Sequence, residues 1–314
     1  IDGLQNIPQN VQLRKRLAYA YKRQGKTDKE IIEYERLVDI APNDISILND
    51  LAKIYKDQGN YIDQISVLNK VLKIDKSNEA AQSELAIAFE KSGKDPIEVY
   101  EKRYLNNPDN ISYGLDYSER LMNSDRLEES RSVLRNIILK NPNSKLAYRK
   151  LGEACLSVDD LENAAKAYES LFKIDPRDGK IAILISDVYI DNQNFGKALR
   201  WADKAISLVK NDGSGYGQKG KVYYKAWDNF RQSPLTIDDR IIASLAYENF
   251  LKAGKLKYRG FNKSKWLNEN SKDVLYGKAQ WFMADEKVKR AGKIQPVSSI
   301  YDWVTDSFTA KGDW

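Results

Sequence analysis

Three glycines and a lysine are the residues of this 314-residue chain whose spacing most suggests chemistry. In NDGSGYGQKGKVYYKA, which runs from Asn211 to Ala226, Gly215, Gly217 and Gly220 spell G-x-G-x-x-G. With that spacing, backbone N–H groups can approach a dinucleotide pyrophosphate. Gly215 to Lys221 also spells G-x-x-x-x-G-K, one residue short of a phosphate-binding loop. Such a loop needs a buried strand before it and Ser or Thr after the lysine. Here Val222 follows Lys221, and the preceding NFGKALRWADKAISLVK has helical spacing. No β-rich stretch supplies a parallel sheet. The glycines are therefore expected to have a packing cause, and no nucleotide or other cofactor is expected.

The remaining inventory argues against catalysis. The chain contains no histidine, so the commonest general base, metal ligand and pH switch are missing. Its one cysteine, Cys155, can form neither an intrachain disulfide nor a thiolate cage. The paired acids Glu128-Glu129 and Asp159-Asp160 fall at expected helix starts or turns, where the helix dipole accounts for them. No metal site and no enzymatic activity are expected. Charged residues make up 31% of the chain, the signature of a well-solvated surface, and no apolar run approaches a membrane span. The chain opens on Ile1 without a signal-peptide pattern. The compartment stays open: cytoplasmic or, if an upstream signal was removed, periplasmic or membrane-associated.

The elements that must position any site come from a 34-residue period. Leu17, Leu51, Leu85, Tyr117, Leu151 and Ile185 fill one large apolar slot. The next residue is small: Ala18, Ala52, Ala86, Ser118, Gly152, Ser186. A packing residue follows three further on: Tyr21, Tyr55, Phe89, Leu121, Cys155, Tyr189. Then comes a turn residue: Gly25, Gly59, Gly93, Asp125, Asp159, Gln193. Units end near Pro42, Pro108, Pro142 and Pro176, with Lys76 and Lys210 in the other two. A large residue beside a small one lets two antiparallel helices approach closely, and proline stops the second helix. One such pair cannot bury its apolar face alone, so the pairs must stack.

This pattern resembles the tetratricopeptide repeat family over about three quarters of the chain. The resemblance implies an all-α fold, a right-handed superhelical solenoid of antiparallel helix pairs with C-terminal capping helices. Repeats are expected at 11–44, 45–78, 79–110, 111–144, 145–178 and 179–212, with an irregular seventh at 213–253. The third is two residues short around Asp95-Pro96. In the seventh, Gly220 takes the small slot of Gly152, the first helix runs on, Pro234 starts a loop, and Asp238-Asp239 favour the next helix N-terminus. Residues 1–253 thus form the expected solenoid, and 254–314 a basic, aromatic-rich cap and tail.

Residues 252–293 hold twelve Lys/Arg against four Asp/Glu, interleaved with Tyr258, Phe261, Trp266, Tyr276, Trp281 and Phe282. NSKDVLYGKAQWFMADEKVKRAGK reads as one amphipathic helix capped by Asn270 or Ser271, with Gly292 past its end and Pro296 beyond. The last residues are expected to drape over the solenoid. A solenoid end must be covered, so capping accounts for this segment. Lys/Arg with aromatics would also suit RNA or an anionic membrane surface.

In the family, the first helix of each repeat lines a concave groove. Carried over position by position, the resemblance implies a basic N-terminal stretch at Lys15, Tyr19, Lys22, Arg23, Asn49, Lys53 and Lys56. An aliphatic middle follows at Ile87, Leu115, Met122, Leu156, Ile183 and Ile190, with Arg149 among them and acidic Asp187 and Asp191 at the far end. Exposed aliphatics in series mark an interaction surface, although helical spacing also allows some of them to pack between helices. Some relatives clamp a chaperone's C-terminal carboxylate; Tyr19, Ala80 and Glu84 stand where that clamp needs Asn, Lys and Arg, so no such adaptor is expected. The function expected is a non-catalytic scaffold that binds a protein segment in its groove and supports a multiprotein assembly. The alternative is an RNA or membrane adaptor acting through 252–293.

Overall fold

The computed structural model describes residues 6–310, 312 and 314. Ile1–Gln5, Lys311 and Asp313, at the ends of the two expected domains, lie outside the described residues. The chain forms helix pairs: α1 (Val11–Arg23) with α2 (Thr27–Ile40), α3 (Ile45–Asp57) with α4 (Tyr61–Ile74), and α5 (Glu79–Lys91) with α6 (Ile97–Asn106). Next come α7 (Ile111–Asn123) and α8 (Leu127–Lys140), α9 (Lys145–Leu156) with α10 (Leu161–Ile174), and α11 (Gly179–Asp191) with α12 (Phe195–Leu208). The seventh pair, α13 (Ser214–Phe230) and α14 (Ile237–Lys255), is longer. The architecture is a stack of antiparallel helix pairs with extra C-terminal helices. It divides into two compact units, the first ending at Val133 and the second running from Leu134, so the division falls inside α8.

Each first helix of the six regular repeats begins at a polar cap that recurs with the repeat. Asn10, Asp44, Asn78, Asn110, Ser144 and Asp178 each accept a hydrogen bond from a backbone N–H two or three residues on. Each such cap stabilises its helix by about 1 kcal/mol. Each first helix also ends alike. The turn residue adopts positive φ in all six repeats: 67°, 70° and 75° at Gly25, Gly59 and Gly93, and 58°, 57° and 53° at Asp125, Asp159 and Gln193. The following residue donates its N–H back to the carbonyl of the packing slot, as Asn60 does to Tyr55 at 2.9 Å and Asn194 to Tyr189 at 2.8 Å. That bond satisfies a carbonyl the helix end would orphan.

Behind the turn, the small slot sets how closely the helices meet. A Cβ on Gly152 would lie 2.3 Å from the ring of Tyr168, and one on Gly220 2.6 Å from the ring of Phe250. In the serine versions, hydroxyls bridge the pair: Ser130 donates to the Ser118 carbonyl and Ser186 to the Ala198 carbonyl, each at 2.8 Å. Neighbouring repeats interlock through Tyr55–Glu35 at 2.8 Å and Tyr189–Glu169 at 2.7 Å. Burial and the bonded carboxylate push Tyr189 up to about 12. Cys155 is fully buried in the core of the second unit.

The opening glycines belong to this packing. Gly215 sits against the backbone of Ile206, Gly217 against the ring of Tyr258 and Gly220 against Phe250. The Nζ of Lys221 pairs with Asp187 at 2.7 Å. Gly215 and Gly217 lie in the first turn of α13, which follows a helix rather than a strand.

The C-terminal segment departs from the single amphipathic helix expected at 271–291. The chain forms α15 (Ser264–Glu269), then three short helices α16 (Ser271–Val274), α17 (Lys278–Phe282) and α18 (Glu286–Ala291). Breaks fall where Val274 and Tyr276 turn into the core of the second unit, since a straight helix could not bury both and keep Trp281 against Trp314. Gly292 ends α18 at φ 68°. Lys293–Ile294 then pairs antiparallel with Phe308–Thr309. The tail is anchored rather than draped: Tyr301, Val304 and Phe308 are buried in the core that holds the fifth to seventh pairs. Asp238 accepts from the N–H groups of Val297 and Ser298 at 3.0 and 2.7 Å, and Asp239 from the Tyr301 hydroxyl at 2.8 Å.

Gly59 and Gly152 should fail differently. Gly152→Ala drives a methyl into Tyr168 and should cost about 1–3 kcal/mol; Tyr168→Leu should recover part of that loss in a double-mutant cycle. Gly59 faces open space, so Gly59→Ala should cost about 1–2 kcal/mol through backbone strain alone. Gly59→Asn should be milder than Gly59→Ala, and Gly152→Asn worse than Gly152→Ala. Urea denaturation of the four variants checks this.

Candidate functional site

In the first unit, the first helices α1, α3, α5 and α7 carry most of the expected groove residues. Tyr19 is 62% exposed on α1, with Lys22 and Arg23 exposed beyond it and Lys15 half-buried. Asn49, Lys53 and Lys56 are exposed on α3, and Ile87 is 43% exposed on α5. On α7, Leu115 and Met122 are half-buried. Two recesses open among these helices. One, of about 340 Å³, is lined by Asn49, Lys53 and Lys56 with Ala80, Ala81 and Glu84. The other, of about 300 Å³, is lined by Ser83, Ile87, Asp116, Glu119 and Arg120, with Tyr100 and Arg103 from α6.

Alanines make the first recess. Ala52, Ala80 and Ala81 leave room that larger residues would fill, and Gln64 reaches it from α4. Gln64 is 2% exposed, its Oε1 has no partner, and its Nε2 approaches Glu84 at 3.5 Å. Spacing did not reveal Gln64 because it stands on a second helix; a buried polar residue beside Ile65 in an apolar pattern was its only mark. Charge here is more balanced than expected. Lys56 binds Glu84 at 2.8 Å, which raises the lysine pKa, and Arg120 pairs with Glu90 and lies over the Tyr100 ring. Lys53 has no carboxylate partner among the described residues. An unpaired lysine beside an exposed asparagine and an unpaired amide oxygen can hold a peptide's carboxylate and backbone.

In the second unit the expected series is largely closed. Arg149 is exposed on α9, but Leu156 and Ile183 pack partly against the core. Ile190 is 5% exposed and belongs to that core, which corrects its assignment to an open groove. The twelfth position of α11 turns to the flank that packs on α13, so Ile190 is covered. The acidic end is also met from α13: Asp187 accepts from Gln218 and Lys221, each at 2.7 Å. Burial, with Asp187 nearby, raises the Asp191 carboxyl above its usual range.

The aromatics of 252–293 are mostly engaged. Phe261 meets Tyr224 and Phe250, Trp266 meets Trp227, Tyr276 meets Phe308, and Trp281 meets Trp314. A base-stacking platform needs free ring faces. Phe282 is the ring of this group that stays largely exposed, at 78%. Among the described residues, no group of three or more His, Cys, Asp or Glu could hold a metal ion, and no helix is long and apolar enough to cross a membrane.

Tetratricopeptide repeat models match residues 16–44, 45–78 and 118–178. The chain is similar to a mitochondrial pentatricopeptide repeat-containing protein of Arabidopsis thaliana, 29% identical over 137 residues. That stretch is 42% of this chain and 22% of the relative, so the chain spans less than a quarter of that protein's length. Among solved structures it is similar to MamA, at 18% identity over 55% of this chain and 94% of that one, TM-score 0.44. It is also similar to YrrB, described as a TPR protein with an unusual peptide-binding site, at 16% identity over 58% and 95%, TM-score 0.42. PilF of Pseudomonas aeruginosa is 17% identical over 72% and 97%, TM-score 0.41.

The two aliphatic extremes separate face from core. Ile87→Lys, placed between Glu84 and Glu90 on an open helix face, should leave stability within about 0.5 kcal/mol of the parent. Ile190→Lys should cost more, about 2–3 kcal/mol, because the longer charged side chain must replace an isoleucine that is 5% exposed in the packed core, with Asp191 and Asp228 close enough to offset only part of the loss. Thermal melts followed by circular dichroism decide it.

Proposed function

We propose, from the premise that the chain belongs to the tetratricopeptide repeat family, that it is a non-catalytic scaffold whose first-helix face in the first unit holds a segment of a partner protein. The observation that carries this reading is the run of exposed Tyr19, Asn49, Lys53 and Ile87 beside two recesses of about 340 and 300 Å³. Apolar anchors enter such recesses, while charges at the rim guide approach. Tyr19 and Ile87 offer the apolar contacts. Asn49 and the Gln64 amide oxygen answer a peptide backbone, and Lys15, Lys22, Arg23 and Lys53 attract acidic flanks. The half-buried Leu115 and Met122 extend the apolar strip on α7. The second unit, taken by itself, keeps Arg149 exposed and Leu156 and Ile183 half-buried, with Ile190 excluded by burial. Support for a larger assembly follows if the held segment belongs to a complex subunit.

Photo-crosslinking tests the face directly. A benzophenone side chain at position 87 should give a discrete adduct with a partner from native extract. The same group at Ile62, 65% exposed on the second helix α4, should not. Neutralising Lys15, Arg23 and Lys53 together should slow association, more so at low salt. Adducts from position 62 and none from 87 would contradict the reading.

A further inference from the structure

A further recess of the first unit does not lie on the first-helix face. It is a cleft of about 690 Å³ lined by α4, α5 and α6, in the range that holds small molecules or anchored side chains. Its cause is legible by register. Counting back seven residues from each repeat end gives Leu37, Val71, Ile137, Leu171 and Ala205, all between 0 and 3% exposed. In the third repeat that slot holds Arg103. A guanidinium does not fill an apolar core position; it stacks instead on the Tyr113 ring with its centre 3.8 Å away. The second helix α6 is also short, ten residues against fourteen in α4.

The cleft wall contains a second polar intruder. Gln82 stands where α3 has Leu48 and α11 has Ala182, both fully buried. It is itself 4% exposed, and its Nε2 donates to the Lys76 carbonyl at 2.7 Å. Its Oε1 has no partner, nor has the Nε of Arg103. Leaving such groups unpaired is costly. The slot of Arg103 is apolar in the other five regular repeats, and that of Gln82 holds Leu48, Gly114, Tyr148 and Ala182 but Arg14 in the first repeat. The rim is cationic, with Lys73, Lys76 and Lys102 against Glu98, which pairs with Lys102 at 2.6 Å. Leu72, Leu85, Phe89 and Val99 supply apolar surface.

We propose that this cleft is a second binding site, distinct from the first-helix face, that takes an acidic peptide segment of a partner protein. One apolar side chain enters against Leu72, Leu85, Phe89 and Val99. Flanking carboxylates meet the lysine rim. A peptide unit has one donor and one acceptor, which answer the unpaired Gln82 oxygen and Arg103 Nε–H. The charge of the rim selects an acidic segment over a neutral or basic one.

The probe is a fluorescein-labelled heptapeptide with a central tryptophan and acidic residues on both sides, read by anisotropy against the full chain. Saturable binding is expected, weakened about tenfold or more by Gln82→Leu and by Arg103→Leu. Gln82→Leu should melt no lower than the parent, because leucine returns that slot to the type of Leu48. Arg103→Leu gives up the stack on Tyr113 and the 4.0 Å approach to Asp116, so its binding is read well below its own melting temperature. A heptapeptide with glycine and serine flanks should bind much more weakly. Unchanged affinity in Gln82→Leu overturns the proposal whatever Arg103→Leu does, since Arg103 also lines the recess of about 300 Å³ on the first-helix face. So does loss on Ile87→Lys with Gln82→Leu unaffected, which would place the peptide on the first-helix face and leave the proposed function standing. Binding of free indole-3-acetate with the same variant pattern, and none of the peptide, would overturn the peptide as occupant.

Discussion

The distance between the two helices of a repeat is set by the one side chain standing between them. At Gly152 and Gly220 nothing stands there, and the rings of Tyr168 and Phe250 come within reach of the opposing backbone. At Ser118 and Ser186 the gap is spanned by hydroxyl–carbonyl bonds. Close pairs leave each helix with one covered flank and one flank for the next repeat. Whatever remains uncovered on the first helices becomes the face a partner can use. The alanines of the first recess and the exposed Ile87 belong to that remainder.

The third repeat shows what happens when the rule is relaxed. The repeat is two residues short, yet its connection, residues 92–96, is longer than 58–60 in the second repeat. The loss falls on α6, whose Ile97 N–H is capped by Asp95 at 2.9 Å and whose Arg103 occupies an apolar slot. The helices enclose a cleft in place of a filled core. Function and stability pull apart at such positions, since a polar residue kept inside costs stability unless a ligand satisfies it.

Much of this was legible in the residues. The large–small slots, the turn positions and the extended first helix of the seventh pair follow from periodicity, because each is a local requirement of helix length or backbone hand. The recurrent caps at Asn10, Asp44, Asn78, Asn110, Ser144 and Asp178 carry the same period and were equally open to reading. Long-range closure was not. Asp238 and Asp239 favour a helix start by local rules, and nothing nearby in sequence indicates that they also hold residues 297–301. The breaks around Tyr276 arise because its ring is buried with Phe308, more than thirty residues on. Ile190 and Ile87 have the same residue type on the same kind of helix, but only tertiary neighbours separate buried from exposed. Gln64 and Arg103 stand on second helices, outside the first-helix slots that carry the family's groove.

Native-state hydrogen exchange tests the dependence on close pairing most directly, because it resolves local opening helix by helix. Both α4 and α6 are second helices of the first unit. The former closes its pair with Val71 fully buried; the latter carries Arg103 in the same slot. Amides of α6 should exchange through local openings well before those of α4, and Arg103→Leu should bring the two together. Equal protection in the parent chain, or no slowing of α6 in Arg103→Leu, would contradict the account.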